Sequence, residues 1–202
     1  MTQRSAALVE TGRAYIQAHA PDAFIASTTG GSVARGEADD LSDLDINIYV
    51  DGVEGFVSAN RTFADEVIQI HVQPLPTLAQ VRESAWGFRF LREAGIVTDP
   101  SGRYAALAEE ALAWLDAPEG VAAIRAGALA DIADRRDWAQ RSLEARNPLE
   151  AGMASIAAMT DAAMLYRATV SGTMATATPL TDLDGPDLHG PDLPWRHLRL
   201  DE

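Results

Sequence analysis

The sequence predicts an α/β (α+β) fold in which a small β-sheet with its helices forms the N-terminal half and a helical bundle forms most of the rest. Two periodicities indicate this architecture. Apolar and polar residues alternate in residues 43–50 and 67–72, which is the pattern of strands. From residue 78 onward, apolar residues instead recur at helical spacing.

A helix is predicted at the start of the chain. Residues 2–19 place apolar side chains on one helical arc, and Pro21 ends the pattern because proline cannot continue a helix. Residues 24–26 form a short apolar strand that leads into a turn of small residues at 27–32. The glycines of this turn allow a ligand to approach the backbone closely.

Two further strands follow this turn. Residues 43–50 end in β-forming side chains, and Asp51 and Gly52 mark a turn after them. Residues 67–72 alternate again, and Pro74 ends this stretch because it cannot donate a hydrogen bond to a neighbouring strand. We expect the two strands to lie side by side.

The remainder of the chain is predicted to be mainly helical. A helix begins at Leu78 and is capped at Gly95, and residues 96–97 add a brief strand. Three more helices are expected over residues 103–116, 119–146 and 149–170. The predicted domains are therefore an α/β domain over residues 1–100, a helical domain over 101–170 and an irregular tail, rich in Gly and Pro, over 171–202.

Two residue types are missing from the sequence, and their absence excludes several chemistries. The chain has no cysteine, so it has no disulfide, no thiolate metal ligand and no cysteine nucleophile. All 16 basic residues counted as Lys and Arg are arginine. P-loop phosphate binding and Schiff-base catalysis both need a lysine, so neither operates here. Any anion must be bound by arginine or by the backbone.

The chain is strongly acidic, with a formal net charge of −14. This charge repels nucleic acid, so we expect no nucleic-acid partner, and it attracts cations such as amino sugars. A surface of this kind also simply keeps a protein in solution. We find neither an apolar signal segment nor a stretch long enough to span a membrane, and we expect a cytoplasmic protein without membrane contact.

Two aspartates on one predicted strand form the most informative motif. Asp43 and Asp45 point to the same side of the strand, while Leu44 and Ile46 enter the core on the other side. Two neighbouring carboxylates repel each other unless a cation lies between them. Carboxylate oxygens suit Mg²⁺, and Mg²⁺ in turn suggests a nucleoside triphosphate.

The small-residue turn supplies candidate phosphate ligands. Gly30 and Gly31 allow backbone N–H groups to reach phosphate oxygens, and Ser32 adds a hydroxyl donor at the same point. Arg35 is the nearest cation for the same phosphates. We therefore predict that these four residues bind the nucleotide.

Residues 31–37 and 42–46, which read GSVARGE and SDLDI, resemble the nucleotidyltransferase fold of the DNA polymerase β superfamily. The resemblance is closest to its minimal nucleotidyltransferases and antibiotic adenylyltransferases. It implies a small mixed β-sheet core and a C-terminal helical bundle. It also implies that Gly31 and Ser32 hold the nucleotide phosphates, while Asp43 and Asp45 hold two Mg²⁺ ions for attack by an acceptor hydroxyl on the α-phosphorus.

The implied reaction is transfer of a nucleoside monophosphate, such as AMP from ATP or another nucleoside triphosphate, to a hydroxyl of a small acceptor. The acidic charge of the chain is compatible with a cationic acceptor resembling an aminoglycoside. Two other hypotheses about the function stay open. One is a weak or inactive nucleotide-binding regulatory module, and the other is an antitoxin of this fold that transfers AMP to a protein partner.

Active members of the superfamily usually carry a third carboxylate on a neighbouring strand. The alternation of residues 67–72 places Gln69 and His71 on the relevant face, and neither is a carboxylate. Glu66 is the nearest acid, but its parity is opposite, so it reaches the site only across a bulge or strand end. His71 is a candidate base or ligand, although a single strand histidine is more often a structural hydrogen-bond partner.

Overall fold

The computed structural model describes residues 1–170, and these contain one five-stranded mixed sheet. In the order β3-β4-β2-β1-β5, only β2 and β4 run parallel, and the other neighbours are antiparallel. The predicted α/β class with a mixed sheet is confirmed. The strands are β1 (Phe24–Thr29), β2 (Leu44–Val50), β3 (Val57–Phe63), β4 (Glu66–Gln73) and β5 (Gly95–Thr98).

Six α-helices and one 3₁₀ helix surround and follow the sheet. They are α1 (Gln3–His19), α2 (Gly31–Arg35), α3 (Leu78–Glu83), the 3₁₀ helix (Arg89–Glu93), α4 (Arg103–Leu115), α5 (Pro118–Glu144) and α6 (Pro148–Val170). The predicted C-terminal helical region is confirmed, with α5 and α6 as its long antiparallel pair. The tail predicted over residues 171–202 lies outside the described residues. Within residues 1–170, no helix has both the length and the apolar character needed to cross a membrane.

One face of the sheet packs against α1. Leu8 and Ile16 of that helix contact alternate residues of the two parallel strands, among them Ile46 and Ile68, and all four side chains are buried. These strand residues point to α1 because successive side chains alternate between faces. The residues between them therefore point to the opposite face, where the candidate site lies.

The opposite face of the sheet joins the helical region through a second buried cluster. Ala26 and Tyr49 of the sheet belong to the same cluster as Tyr104, Leu115 and Ile124 of the helices. The Tyr49 and Tyr104 rings stack with their centroids 5.1 Å apart. Residues 1–100 and 101–170 thus share one hydrophobic core at this face.

The strand predictions need two corrections. First, β1 continues through Thr29, so residues 27–29 belong to a buried strand rather than to a turn. Second, β3 is an additional strand at the edge of the sheet. The sequence does not indicate this strand because most of its side chains are exposed. Its hairpin turn also has Ala64 and Asp65 at positive φ, instead of the Asn-Gly pair that usually marks such a turn.

The helix predicted from Leu78 to Gly95 is also wrong in extent. It ends at Glu83, and Gly95 begins β5 instead of capping a helix. Tertiary packing explains the break, since the Trp86 side chain is buried against α5. A Cβ atom added at Gly127 of α5 would lie only 2.8 Å from the Trp86 Cβ, so the two segments touch at a glycine.

A buried arginine anchors the 3₁₀ helix to the helical region. The Arg89 guanidinium lies 3.6 Å from the ring centroid of Trp86 and 4.0 Å from that of Phe90. Burial lowers the pKa of Arg89 to about 10, and the Asp161 carboxylate of α6 opposes that fall. Asp161 itself is buried and accepts a hydrogen bond from Arg135 of α5.

Candidate functional site

A cavity of about 440 Å³ lies between the sheet and the segment that contains the 3₁₀ helix. β1 and β2 line it through Thr28 and Asp45, and the 3₁₀ helix lines it through Glu93. The lining also includes residues predicted from the sequence, and polar residues next to them on the strands: Gly30, Gly31, Arg35, Asp45, Asn47, His71 and Gln73. The cavity therefore collects residues from five separate parts of the chain.

Asp45 is the carboxylate of the motif that lines the cavity. Its Oδ1 atom is buried and, within the described chain, has no hydrogen-bond partner. Burial raises the pKa of Asp45, the nearby Asp43 carboxylate raises it further, and His71 opposes the rise. Asp43 lies just before β2, is exposed, and does not line the cavity. An unpaired, partly buried carboxylate beside a second one is a place where a cation is favoured.

Strand pairing places Gln69 and His71 next to the motif. Asp45 is the direct neighbour of Gln69 across the parallel β2–β4 pair, and Asn47 is the neighbour of His71. His71 lines the cavity and stacks on Phe56, with ring centroids 5.2 Å apart. Its Nδ1 atom is buried and unpartnered among residues 1–170. The residue level with Asp45 is thus an amide, and the next one along is an imidazole.

Glu66 lies away from the cavity. Its carboxylate pairs with the Arg4 guanidinium of α1, with Arg4 Nη2 donating to Glu66 Oε2 over 2.7 Å. This contact lowers the pKa of Glu66. Glu66 shares its parity with the buried Ile68, so it faces α1 and not the Asp45 side.

Replacing Glu66 with glutamine is expected to lower the free energy of unfolding by about 0.5 to 1 kcal/mol, the usual contribution of a partly exposed ion pair. Because the folded-state pKa of Glu66 is lowered, the stabilisation is present above the unfolded-state pKa and is lost as pH falls through the folded-state pKa. Urea unfolding of wild type and Glu66→Gln between about pH 3 and pH 7 measures this difference. The free energies of unfolding of the two proteins should converge toward the low end of that pH range. A loss that persists at the lowest pH would contradict the ion-pair explanation.

The glycine turn lies at the cavity, but its serine does not. Gly30 and Gly31 line the cavity, whereas Ser32 is not among the lining residues and donates a 3.1 Å hydrogen bond to the Ser42 hydroxyl. Gly31 begins α2 with φ of +60°, a conformation that favours glycine. The first N–H groups of a helix have no acceptor within it, so those at this turn can bind a ligand.

Arg35 lines the cavity as an ion-paired residue. Its Nη1 atom donates to Glu93 over 3.2 Å, and its Nε atom donates to Glu37 over 2.8 Å. Only 13% of the Arg35 side chain is exposed. A phosphate group at this point has to compete with these carboxylates for the guanidinium.

Several cavity residues were not predicted from the sequence. Asn47, Tyr49 and Gln73 follow Asp45 and His71 on the same faces of their strands, so the alternation itself was a signal that could have found them. Tyr104 comes from α4, and Phe88 comes from the turn before the 3₁₀ helix. No local pattern pointed to these two aromatic residues, because only the chain path brings them to the sheet.

The oxygen donors near Asp45 are of the type that Mg²⁺ prefers. Asp45 offers a buried, unpartnered carboxylate oxygen, and Asp43 stands close enough to raise its pKa. The part of the chain that the structure describes brings together no three His, Cys, Asp or Glu side chains in a metal-binding arrangement. Asp43 and Asp45 would suit a Mg²⁺ ion, whose remaining ligands would have to come from a bound ligand or from water.

No family model matches the sequence, and no curated protein matches it. Among solved structures, a nucleotidyltransferase-like protein from Exiguobacterium sibiricum 255-15 is similar, with a TM-score of 0.43 and 12% sequence identity. The similarity covers 82% of this chain and 58% of that protein, so this chain spans less than two thirds of its neighbour's length.

Proposed function

We propose that the chain is a Mg²⁺-dependent nucleotidyltransferase that moves a nucleoside monophosphate, AMP from ATP, to a hydroxyl group of a small acceptor. The observation that carries this proposal is the buried, unpartnered Asp45 Oδ1 in a cavity that Gly30 also lines. Thr29 pairs with Ile46, so Gly30 comes level with the start of β2. A carboxylate that favours a cation therefore stands beside backbone that leaves room for phosphates.

Asp43 and Asp45 are the residues that would hold the metal. When bound, Mg²⁺ supplies neutralising charge for the phosphates and favours in-line displacement at phosphorus. A nucleotide with several phosphate charges also needs such neutralisation here, because Arg35 is already paired with Glu93 and Glu37. The uncharged lining at Gly30 and Gly31 adds no repulsion to the phosphates.

The proposed reaction forms one bond and breaks another at the α-phosphorus. The acceptor oxygen bonds to phosphorus, the bond to the bridging oxygen breaks, and pyrophosphate leaves with that electron pair. The hydroxyl proton must pass to a base. His71 is the candidate because its Nδ1 atom is unpartnered in the described region and its ring lines the cavity.

The Gln69→Asp variant tests whether the missing carboxylate limits transfer. Gln69 is the direct neighbour of Asp45, so an aspartate there adds an anionic oxygen about 5 Å across the strand pair. We expect pyrophosphate release with Mg²⁺, ATP and a panel of hydroxylated acceptors to rise by at least about 10-fold, as for an added acid–base or metal-binding group.

Asn60→Asp is the matched control for this change. It adds the same charge one strand further from Asp45, because Asn60 of β3 pairs with Gln69 and does not line the cavity. Its release of pyrophosphate should stay at the wild-type level. If wild type is already fast and His71→Ala silences it, the histidine is the base and no third carboxylate is needed.

A nucleotide-binding module without turnover is the second candidate. The observation in its favour is that an amide, Gln69, occupies the position level with Asp45. An amide supplies oxygen without charge, and two Mg²⁺ ions with a triphosphate need anionic ligands. This candidate predicts that Mg²⁺-ATP binds wild type with no pyrophosphate release, and that Asp45→Asn weakens binding.

Adding a side chain at Gly30 should block the nucleotide without harming the fold. Gly30 has φ of −119°, which any residue adopts, and a Cβ atom there meets nothing within 4 Å. We expect Gly30→Val to weaken Mg²⁺-ATP binding by at least about 10-fold in calorimetry, because the branched side chain occupies the space that lets a ligand approach the backbone.

The control for Gly30→Val is Gly152→Val on α6, where an added Cβ atom also meets nothing within 4 Å. Gly31→Val is unsuitable, because φ of +60° would strain the backbone whatever the ligand does. Wild-type affinity in Gly30→Val, at an unchanged melting temperature, would remove this turn from the nucleotide site.

A further inference from the structure

The cavity has two chemically different ends. The aspartate end is defined by Asp45, Arg35 and Glu93, which carry its charges. The tyrosine end is defined by Thr28, Asn47, Tyr49, Gln73 and Tyr104. Tyr49 lies four residues beyond Asp45 on β2, so the two ends are about 13 Å apart at the strand rise of 3.3 Å per residue. One extended ligand, or two ligands side by side, can occupy the cavity.

The tyrosine end is polar but uncharged. Gln73 Nε2 donates to Asn47 Oδ1 over 3.1 Å, which leaves further donor and acceptor capacity on both amides. Burial raises the pKa of Tyr104, and Asp99, which lies outside the lining, raises it further. Asp99 accepts a 2.9 Å hydrogen bond from the Ala105 backbone N–H instead of lining the cavity.

Two fully buried hydroxyl groups at this end have no well-aligned hydrogen bond within the described residues. Thr28 is 0% exposed and Tyr104 is 1% exposed, and no group of residues 1–170 stands in hydrogen-bond geometry to Thr28 Oγ1 or Tyr104 Oη. Burial raises the pKa of Tyr49, and contact with the Thr28 and Tyr104 hydroxyls opposes that rise, so the three hydroxyl groups form one cluster. A buried hydroxyl without a well-aligned partner costs free energy, and a ligand that pairs with it recovers part of that cost.

The wall that faces these polar groups is apolar and partly aromatic. Phe88, Phe90 and Leu91 line it from the 3₁₀ helix and the turn before it. The Arg89 guanidinium lies 4.0 Å from the centroid of the Phe90 ring and so supports that ring from the side of the helical region. Aromatic side chains and hydrogen-bonding groups that line one cavity suit a ring, which can stack on the former and bond to the latter at its edge.

We infer that the tyrosine end binds an uncharged ring that carries hydrogen-bonding groups. This inference rests on the proposed function, in which the aspartate end holds the phosphates. A polycationic sugar is disfavoured there because no carboxylate of the described chain lines that end, and an ammonium group removed from water without a partner is costly. The ring belongs either to the nucleoside or to the acceptor.

Calorimetry with four separate probes tests this inference. Adenosine represents the nucleoside ring, phenyl β-glucoside an uncharged acceptor ring, kanamycin a polycationic sugar, and tripolyphosphate with Mg²⁺ the phosphates alone. Tyr104→Phe and Thr28→Val each remove one hydroxyl at nearly constant shape. Tyr15→Phe is the matched control, since Tyr15 packs against His19 and Phe63 on the other side of the sheet.

We expect one uncharged probe to bind, and we expect Tyr104→Phe and Thr28→Val each to weaken its binding about 3- to 10-fold, the effect of one hydrogen bond. Adenosine binding identifies the nucleoside as the source of the ring, and glucoside binding identifies the acceptor. Tyr15→Phe should bind as wild type does. The inference is overturned if neither uncharged probe binds or if both hydroxyl deletions leave binding unchanged. It is also overturned if kanamycin is the only probe whose binding is weakened by Tyr104→Phe and Thr28→Val.

The fourth probe separates this inference from the proposed function. Tripolyphosphate with Mg²⁺ should bind wild type and Tyr104→Phe equally, because the phosphates lie at the aspartate end. It should not bind Asp45→Asn. If wild type does not bind tripolyphosphate with Mg²⁺ but does bind adenosine or the glucoside, the nucleotidyltransferase proposal is rejected. The inference of a ring-binding site is then retained.

Discussion

Asp45→Asn is expected to abolish Mg²⁺-dependent nucleotidyl transfer, with a loss of at least about 100-fold in pyrophosphate release. The physical reason is that the amide loses the anionic oxygen that the cavity leaves buried and unpartnered. Mg²⁺-ATP binding, measured by calorimetry, should fall with the activity. Asp43→Asn should act in the same direction, because Asp43 contributes to the negative potential at Asp45.

The stability of Asp45→Asn distinguishes a functional carboxylate from a structural one. Burial raises the pKa of Asp45, which means that the fold disfavours its charged form. Because that pKa is raised, the charge at Asp45 destabilises the folded protein at neutral pH, and the penalty fades as pH falls through the folded-state pKa. A neutral asparagine should therefore keep or raise the melting temperature.

The neighbouring residue supplies the comparison for this stability measurement. Ile46 is fully buried in the core against α1, and Ile46→Ala should cost about 2 to 5 kcal/mol. An Asp45→Asn protein that is destabilised as strongly as Ile46→Ala would show that the carboxylate supports the fold. Such a result would contradict its assignment to the site.

Asp161→Asn is expected to cause the largest loss of stability by a change of charge alone, about 2 to 4 kcal/mol. Asp161 is 6% exposed, accepts a hydrogen bond from Arg135, and is the foremost carboxylate that opposes the lowered pKa of the buried Arg89. Without this carboxylate, a buried guanidinium loses its main compensating charge. The partial exposure of Arg135 keeps the cost below that of a fully buried pair.

Urea unfolding of Asp161→Asn measures this loss, with the exposed Asp137→Asn of α5 as the control for removing a carboxylate. The control should lie within about 0.5 kcal/mol of wild type, as surface changes usually do. The lowered stability should be accompanied by weaker binding of the uncharged ring probe, because Arg89 supports Phe90 at the cavity wall. Equal stability of the two variants would show that Arg89 needs no carboxylate partner.

Local patterns predicted the parts of the fold that have strong periodicity. Residues 43–50 and 67–72 alternate over one whole strand each, and the structure pairs them as the parallel neighbours β2 and β4. The helices α4 and α5 begin and end within two residues of their predicted limits. β3 was missed because an exposed edge strand has no apolar face to produce an alternating pattern.

Some features of the candidate site could also be predicted from local patterns, and others could not. Strand parity correctly separated Glu66 from Gln69 and His71, because the period of two is a property of any extended chain. The expectation that Ser32 faces the nucleotide stays a prediction, and its hydroxyl instead bonds to Ser42 in this structure. Nothing in the local sequence could show that Arg35 would be paired with Glu93, 58 residues further along.

The sequence by itself determined the strand faces, the pair of aspartates, the glycine turn and the exclusion of lysine and cysteine chemistry, because these depend on residue identity and backbone periodicity alone. Only the tertiary structure decided what lies opposite them. The chain breaks its helix after Glu83 so that Trp86 and Arg89 can be buried against α5 and α6, and this places the 3₁₀ helix over the sheet. The cavity and its tyrosine end therefore result from long-range packing, which overrides local helix preference where burial of large side chains contributes more free energy.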